Sequence, residues 1–212
     1  MSRLERRPEP SRRMMLASPL IAAAAMLLTG SVLFFFLGQQ PLHAFYVYFI
    51  KPWTTLFGVG ELLLKATPLI LCGVGLAIGF RANVANIGAD GQLTVGAIAA
   101  GAVALHFDQV EAWWVLPLML LAGALGGMLW AAIPALLRTR FNTSEILVSL
   151  MLVYVAYHLL SYLVHGPMRD PDGFNFPQSK MFSASATLPL LVEGLRVNAA
   201  FILSLVAAGA AW

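Results

Sequence analysis

Apolar runs close to 20 residues long recur along the chain and constrain its fold more than any other feature. About 20 apolar residues are what a helix needs to cross the hydrocarbon core of a bilayer. Apolar residues make up 59% of the 212 residues and charged residues 11%, whereas a soluble domain has about 45–50% and about 25%. The chain is therefore predicted to be an all-α, polytopic membrane protein. Six spans are expected, at residues 14–37, 62–80, 93–107, 113–137, 146–164 and 199–212.

A basic leader precedes the first span. Its members are Arg3, Arg6, Arg7, Arg12 and Arg13. The apolar stretch behind it exceeds the roughly 7–15 residues of a secretory signal core, and no small-residue cleavage site follows. We therefore expect a cytoplasmic leader at residues 1–13 and an uncleaved transmembrane domain at residues 14–212.

Basic residues also predict the orientation, since cytoplasmic loops of membrane proteins are enriched in lysine and arginine. With the N-terminus inside, eight basic residues fall on the inner side and four on the outer side. This distribution favours a cytoplasmic N-terminus. The sixth span is still running at Trp212, so the sequence is expected to lack the C-terminal part of the domain.

A polar stretch at residues 81–92, which includes "NIGADGQ", interrupts the apolar pattern. A charged residue at the bilayer centre costs about 2.5–3.5 kcal/mol on insertion scales. The stretch must therefore leave the lipid as an aqueous turn, or form a broken or re-entrant segment that lines a protein-enclosed path. Composition does not decide between these two. The stretch contains Arg81, Asn83, Asn86, Asp90 and Gln92, with glycines at Gly88 and Gly91.

A second polar turn, "RTRFNTSE" at residues 138–145, separates the fourth and fifth spans on the predicted inner side. Asn142 followed by Glu145 is typical of a capping box, which would start the fifth span at Asn142. The alternative is contact with a cytoplasmic partner. The residues concerned are Arg138, Arg140, Asn142 and Glu145.

Other features indicate packing or surface. Small residues at four-residue spacing predict close helix contacts, and prolines 68, 117 and 134 predict kinks in two spans. The small-residue pairs are Gly75 with Gly79, Ala97 with Gly101, and Gly123 with Gly127. The proline-rich segment from His165 to Asn198 is either an ordinary external loop or a docking surface for an external partner.

Most catalytic classes lack support in the sequence. The four histidines are scattered, Cys72 is the single cysteine, and metal ligands must converge, so no metal site is predicted. Neither a nucleophile elbow nor a Gly-x-x-x-x-Gly-Lys loop occurs. We therefore expect that the chain does not hydrolyse nucleotide itself, and that any energy coupling comes from a partner. The basic residues cluster at membrane edges and do not indicate nucleic-acid binding.

Two segments resemble inner-membrane permeases of bacterial ABC importers, in the branch for simple sugars, nucleosides and branched-chain amino acids. The first is "GLAIGFRANVANIGADGQLTVGAIAAG" (75–101), in which Asp90 stands where the family usually has Glu. The second, "FNTSEILVSLMLVYVAYHLLSYLVHGPMRDPDGFNFPQS" (141–179), resembles the nucleoside or simple-sugar subgroup. The resemblance favours a path-lining role for the polar stretch. The candidates are Asn83, Asn86, Asp90 and Gln92, with Gly88 and Gly91 forming the helix break.

The resemblance implies a transport subunit rather than an enzyme, with ATP hydrolysis on a separate subunit of a larger assembly. A second permease subunit, two ATPase subunits that carry ATP and Mg²⁺, and an extracytoplasmic binding protein would complete an importer in the inner membrane. A coupling helix for the ATPase is implied beyond Trp212. Three rivals remain at this stage: an enzyme embedded in the membrane, an accessory subunit without its own path, and an ATP-independent carrier or channel.

Overall fold

The computed structural model describes residues 12–174 and 176–212, and these ranges are helical with two isolated β-bridges. The all-α prediction is confirmed. Residues 1–11, which hold Arg3, Arg6 and Arg7 of the predicted leader, lie outside these ranges, and Arg12 opens the first helix. The α-helices are α1 (Arg12–Phe36), α2 (Pro41–Phe45), α3 (Lys51–Thr54), α4 (Leu56–Arg81), α5 (Ala89–His106), α6 (Val115–Phe141), α7 (Glu145–His165) and α8 (Ala200–Ala211).

Among the residues that the structure describes, four helices are long and apolar enough to cross a bilayer: α1 from Met14 onwards, α4, α6 and α7. The predicted polytopic class is thereby confirmed. Helix α5 has 18 residues but carries Asp90 and Gln92 in its first turn, and α8 has 12 residues. Neither belongs to the group of four, so the count of six spans stays a prediction.

The chain divides into two compact units, which meet in sequence at Val59 and Gly60. In the first, α1 ends before Gly38, whose φ of +72° suits glycine. Helix α2 then starts with Pro41 at N1, where the missing N–H removes no helical bond. The Phe34 and Phe45 rings meet edge to face, with centroids 5.8 Å apart. Residues 41–54, which lie between the first two predicted spans, form short helices with a π-helical turn between them.

The second unit is built around α5, which packs against α6 and α7. A Cβ added to Gly96 would lie 2.8 Å from the carbonyl oxygen of Gly123, and one added to Gly126 would lie 2.7 Å from Ala99 Cβ. The backbones of α5 and α6 therefore touch directly, as small residues allow in membrane helices. Gly127 adds to the contact, its added Cβ lying 3.3 Å from the Gln92 carbonyl oxygen.

Of the three predicted small-residue pairs, Gly123 and Gly127 both make this kind of contact with the backbone of α5. An added Cβ at Gly75 would meet nothing within 4 Å, and one at Gly79 would meet only the Val84 carbonyl just after its own helix. Gly101 faces side chains of the segment after α7. The prediction was therefore too broad, because spacing identifies a small face without identifying the partner helix.

Two of the three prolines predicted to kink spans lie inside helices, Pro68 in α4 and Pro134 in α6. Pro117 is the third residue of α6. Its backbone nitrogen belongs to the first turn, which has no intrahelical acceptor. The predicted kink at Pro117 is therefore wrong, because proline costs no hydrogen bond at this position.

The segment between α7 and α8 folds back onto the turn that joins α5 and α6. Ala186 is buried with Ala104, Val115 and Met119 in one apolar cluster. The Ser185 hydroxyl donates to the Val110 carbonyl oxygen over 3.0 Å. The segment is therefore an ordered cover on this unit, although its proline content predicted only a lack of regular helix.

Candidate functional site

The polar stretch contains the predicted break, since α4 ends at Arg81 and α5 begins at Ala89. Asn83 lies just beyond α4 with φ +56°, a left-handed conformation that asparagine tolerates. The Val84 N–H donates to the Gly79 carbonyl (2.9 Å) and the Asn83 N–H to that of Phe80 (3.1 Å). These two bonds form a Schellman motif. Asn83 therefore closes α4, and its side chain is exposed.

Asn86 and Gln92 pair across the end of this break. The Asn86 Nδ2 donates to Gln92 Oε1 over 3.2 Å, and the Gln92 Nε2 donates to Asn86 Oδ1 over 3.4 Å. Asn86 Oδ1 also accepts from the Gly88 N–H at 2.8 Å. Both side chains are half-buried. The two amides therefore satisfy one another, with Asn86 anchored to the backbone.

Gln92 lies in the lining of two cavities, of about 770 Å³ and 310 Å³. Helices α4, α5 and α6 and the segment between α7 and α8 all contribute to the walls of the larger cavity. Its lining includes Leu71, Gln92, Gly96, Met119, Phe182, Thr187 and Asn198. The smaller cavity lies between α4 and the start of α5, and its lining includes Cys72, Gly75, Asn86 and Gln92. Two of the four predicted path residues thus meet at cavities.

Asp90 does not join Asn86 and Gln92 in the lining of either cavity. Its carboxylate is exposed and accepts a hydrogen bond from the Tyr157 hydroxyl of α7. Tyr157 was not among the site residues predicted from the sequence. A tyrosine hydroxyl within an apolar span needs a hydrogen-bond partner. This requirement could have identified Tyr157 from the sequence. Phe182, Thr187 and Asn198 were missed as well, because the folding back of a long loop leaves no local pattern.

The two glycines of the polar stretch hold α5 against α7. Gly88 is the N-cap of α5 with φ −90°, which any residue can adopt. An added Cβ there would lie 2.8 Å from Ser149 Cβ, and one at Gly91 would lie 3.0 Å from Val153 Cα. Gly88 lies in the predicted break, whereas Gly91 lies inside α5. Close packing, rather than unusual backbone dihedrals, requires glycine at both positions.

The turn at residues 138–145 differs from its prediction. Asn142 does not start α7, because it ends α6 with φ +52° and its N–H donates to the Arg138 carbonyl oxygen at 2.9 Å. Ser144 is the N-cap of α7, and its hydroxyl accepts from the Leu147 N–H at 3.5 Å. The Asn142 capping box is therefore wrong, since a left-handed residue cannot take the extended N-cap conformation.

Glu145 has a different partner from the one that the capping box implied. Its Oε1 lies 2.5 Å from Arg138 Nη1, so the pair joins the end of α6 to the start of α7. Arg140 is exposed beside this pair. Contact of these residues with a cytoplasmic partner stays a prediction.

Comparison with known proteins identifies the family. Residues 58–212 match the family described as branched-chain amino acid transport system / permease component. The match covers most of the chain. The chain belongs to this permease family.

The chain has relatives whose names state a substrate. It is 44% identical over 174 residues to a glucose ABC transporter permease protein of Haloferax volcanii, covering 82% of this chain and 45% of the relative. It is 33% identical over 199 residues to a guanosine ABC transporter permease protein of Bacillus subtilis, covering 92% and 56%. A nucleoside ABC transporter permease protein of Lactococcus lactis is 26% identical over 196 residues, covering 89% and 54%.

The predicted family, in its sugar and nucleoside branch, is thus confirmed. The permease spans about half the length of the curated relatives it matches. No solved structure matches it.

Proposed function

We propose that this chain forms part of the transmembrane permease subunit of an ABC importer and contributes to the path of a small polar solute. The observation that carries the proposal is the amide pair of Asn86 and Gln92 beside two cavities, in a family member whose relatives are named for glucose and nucleosides. Ligand sites are typically cavities of about 300–1,000 Å³ with mostly apolar walls and a few placed polar groups. Nucleosides or simple sugars are the proposed substrates.

The proposed assembly contains a second permease subunit, two ATPase subunits with ATP and Mg²⁺, and an extracytoplasmic binding protein. Its location is the inner membrane, with the N-terminus in the cytoplasm. Family membership supports these partners, and the absence of a Gly-x-x-x-x-Gly-Lys loop from the sequence supports ATP hydrolysis on another chain. The turn that holds Arg138, Arg140 and Glu145 is the proposed contact for a cytoplasmic partner.

The proposed mechanism is alternating access. Closure of the ATPase pair would move the permease helices, and the binding protein would release its solute into the cavities. The bond between Asn86 and Gln92 would be exchanged for bonds to the solute, because unpaired polar groups are costly where water is excluded. Asp90 would support this region through Tyr157.

An ATP-independent carrier, or an accessory subunit without a path, is the alternative. Uptake of radiolabelled guanosine and glucose by cells that carry the complete operon separates these possibilities. We expect uptake that stops when the lysine of the ATPase Gly-x-x-x-x-Gly-Lys loop is replaced by alanine. Uptake that continues in that variant would favour the carrier, and uptake that survives deletion of the permease would favour the accessory role.

The path itself is tested by Asn86→Ala at equal expression. We expect uptake to fall by about tenfold, the effect of a loss of about 1.4 kcal/mol of solute binding. The matched control is Asn83→Gly, which changes the exposed left-handed residue after α4 and preserves its conformation. Unchanged uptake in Asn86→Ala would reject the proposed path.

A further inference from the structure

Residues 41–54, between the first two long helices, are too few to cross a bilayer. Helices α2 and α3 have five and four residues, and a five-residue π-helical turn joins them, whereas a membrane-spanning helix needs about 20 residues. The match to the permease family begins at residue 58. Family membership therefore assigns no role to this segment.

A corner at each end separates the segment from the long helix beside it. After α1, Gly38 takes a positive φ, and the Gln39 N–H donates to the Phe34 carbonyl oxygen at 2.9 Å, as at many helix ends. Before α4, Thr55 is extended with φ −124° and ψ 141°, and its hydroxyl accepts from the Gly58 N–H at 3.0 Å. The segment is therefore a separate element rather than a continuation of either long helix.

Aromatic contacts hold the segment against the last turns of α1. The Phe45 and Phe34 rings meet edge to face, with centroids 5.8 Å apart, and the Tyr48 ring centroid is 6.4 Å from that of Phe34. A Cβ added to Gly30 would lie 3.4 Å from Phe45 Cζ. The segment therefore lies beside the stretch of α1 that contains Gly30 and Phe34.

This stretch of α1 is at the edge of a membrane span. The 23 residues from Met14 to Phe36 are about 34 Å long at about 1.5 Å per residue, only slightly more than the hydrocarbon core of about 30 Å. Gly30 lies about 9 Å from the end of this span. Amphipathic interfacial helices lie at a comparable depth, about 5–10 Å into the boundary of head groups and acyl chains.

The exposed side chains of the segment suit this boundary. Tyr46, Tyr48 and Trp53 are exposed, and each combines an apolar ring with a polar hydroxyl or indole N–H. Such residues are enriched where a membrane meets water. Lys51 is also exposed and is the only Asp, Glu, Lys or Arg in the sequence of residues 39–60. One cation among aromatic rings complements the negative phosphate groups of phospholipids.

We propose that residues 41–54 form an interfacial anchor that lies in the phospholipid head-group layer, with its tyrosine and tryptophan rings at the hydrocarbon boundary and Lys51 against lipid phosphate. The corners at Gly38 and Thr55 connect the anchor directly to α1 and α4. It therefore holds the end of α1 and the start of α4 at one membrane level. In the proposed orientation this level is the outer leaflet, and the inference does not depend on the transported solute.

Spin-label depth measurements test the anchor in the full-length permease, reconstituted with the other products of its operon in vesicles of phosphatidylglycerol and phosphatidylcholine. A nitroxide is attached to Leu42→Cys or Ile50→Cys, which change exposed residues and keep the aromatic rings, in a complex without other cysteines, Cys72 included. Collisions with oxygen, which concentrates in the bilayer, are compared with collisions with a neutral, water-soluble nickel chelate. The controls are Ala25→Cys, in the middle of α1, and Gln109→Cys, on the exposed turn between α5 and α6.

We expect the ratio of oxygen to nickel collisions at positions 42 and 50 to lie between the ratios of the two controls, because the labels lie at the boundary. A ratio equal to that at position 109 would place the segment in water, and a ratio equal to that at position 25 would place it in the hydrocarbon core. Few collisions with either reagent would show that protein covers the segment. Each of these three results overturns the anchor.

Charge variants test the contact with phosphate. Lys51→Glu places a negative charge beside the phosphates and should increase nickel collisions at position 42, more so as the fraction of phosphatidylglycerol rises, because like charges repel. Lys51→Arg keeps the positive charge and is the matched control, which should leave the collisions unchanged. Equal collisions in the two variants at every lipid composition would overturn the role of Lys51.

The aromatic contribution is tested by Trp53→Ala, read at the same position. We expect more nickel collisions at position 42, because the segment loses an indole ring that favours the boundary. Trp113→Ala, which removes an exposed tryptophan just before α6, is the control and should have no effect. If the two variants behave alike, the tryptophan does not hold the segment in the head-group layer.

Discussion

Asp90 and Tyr157 meet between two apolar helices, with the hydroxyl of α7 donating to the carboxylate of α5. A carboxylate at membrane depth is costly, and such groups usually have a protein partner. The contact gives Asp90 a structural role that does not require a solute. It also explains how α5 can carry an acidic residue in its first turn beside a helix as apolar as α7.

The first prediction separates this structural role from solute binding. Tyr157→Phe removes the donor and should lower the unfolding temperature of the protein, because the hydrogen bond between α7 and α5 is lost. Asp90→Asn keeps an acceptor oxygen and should therefore destabilise the protein no more than Tyr157→Phe does. Both variants should retain most uptake. Thermal unfolding in detergent and uptake at equal expression are the measurements, and a loss of uptake confined to Asp90→Asn would indicate direct contact with the solute.

At the scale of whole elements, glycine contacts define how closely α5 and α6 approach. Gly96→Ala should place a methyl group 2.8 Å from the Gly123 carbonyl oxygen, and backbone cannot give way cheaply. We expect a loss of about 1–3 kcal/mol, as for other overpacked interiors. Gly73→Ala is the control, because an added Cβ there meets nothing within 4 Å. Thermal unfolding should separate the two variants, and equal stability would contradict the close contact.

The turn between α6 and α7 gives a second prediction at this scale. Ser144→Ala removes the N-cap hydroxyl of α7 and should cost about 0.5–2 kcal/mol. Asn142→Gly should be neutral or stabilising, because glycine takes the left-handed conformation at φ +52° without strain. The free energy of unfolding checks both. A larger loss in Asn142→Gly than in Ser144→Ala would restore Asn142 as the helix start.

The sequence predicted the long helices well, because apolar runs and the helix-breaking stretch at 81–92 are local signals. It also selected Asn86 and Gln92, which are close to each other in the sequence and form a hydrogen-bonded pair. Partners far apart in sequence were not predictable, as in Asp90 with Tyr157 or Gly96 with Gly123. Asn142 was misassigned because asparagine favours both the N-cap of one helix and the left-handed end of another.

At the scale of the whole second unit, the segment after α7 lines the larger cavity and is hydrogen-bonded to the turn between α5 and α6. Lys180 is paired there with Asp108. The hydrogen bond and charge of Asp108 raise the pKa of Lys180 above its ordinary value. Because the lysine pKa is higher in the folded state, the pair stabilises the fold at pH values below the unfolded-state pKa of about 10.4. This stabilisation is lost as the pH rises through the folded-state pKa.

The fourth prediction follows from the direction of the Lys180 pKa shift. Protection of amides at residues 176–190 against hydrogen exchange, corrected for intrinsic rates, should be constant between about pH 6 and 9, where Lys180 remains charged. Lys180→Met should lower the protection throughout that range. Lys65→Met, which changes an exposed lysine of α4, should have no effect. Protection in wild type that falls between these pH values would show that the pair does not hold the segment.

The contrast between the two sides of α5 has a mechanical consequence. On one side its backbone touches that of α6, and close-packed groups resist compression and separation alike. Between this pair of helices and α4 lie cavities of about 770 and 310 Å³, and Leu71 of α4 lines both. Stiffness is therefore unevenly distributed, and we expect a change of shape to be absorbed by displacement of α4 while α5 and α6 travel as one rigid hairpin.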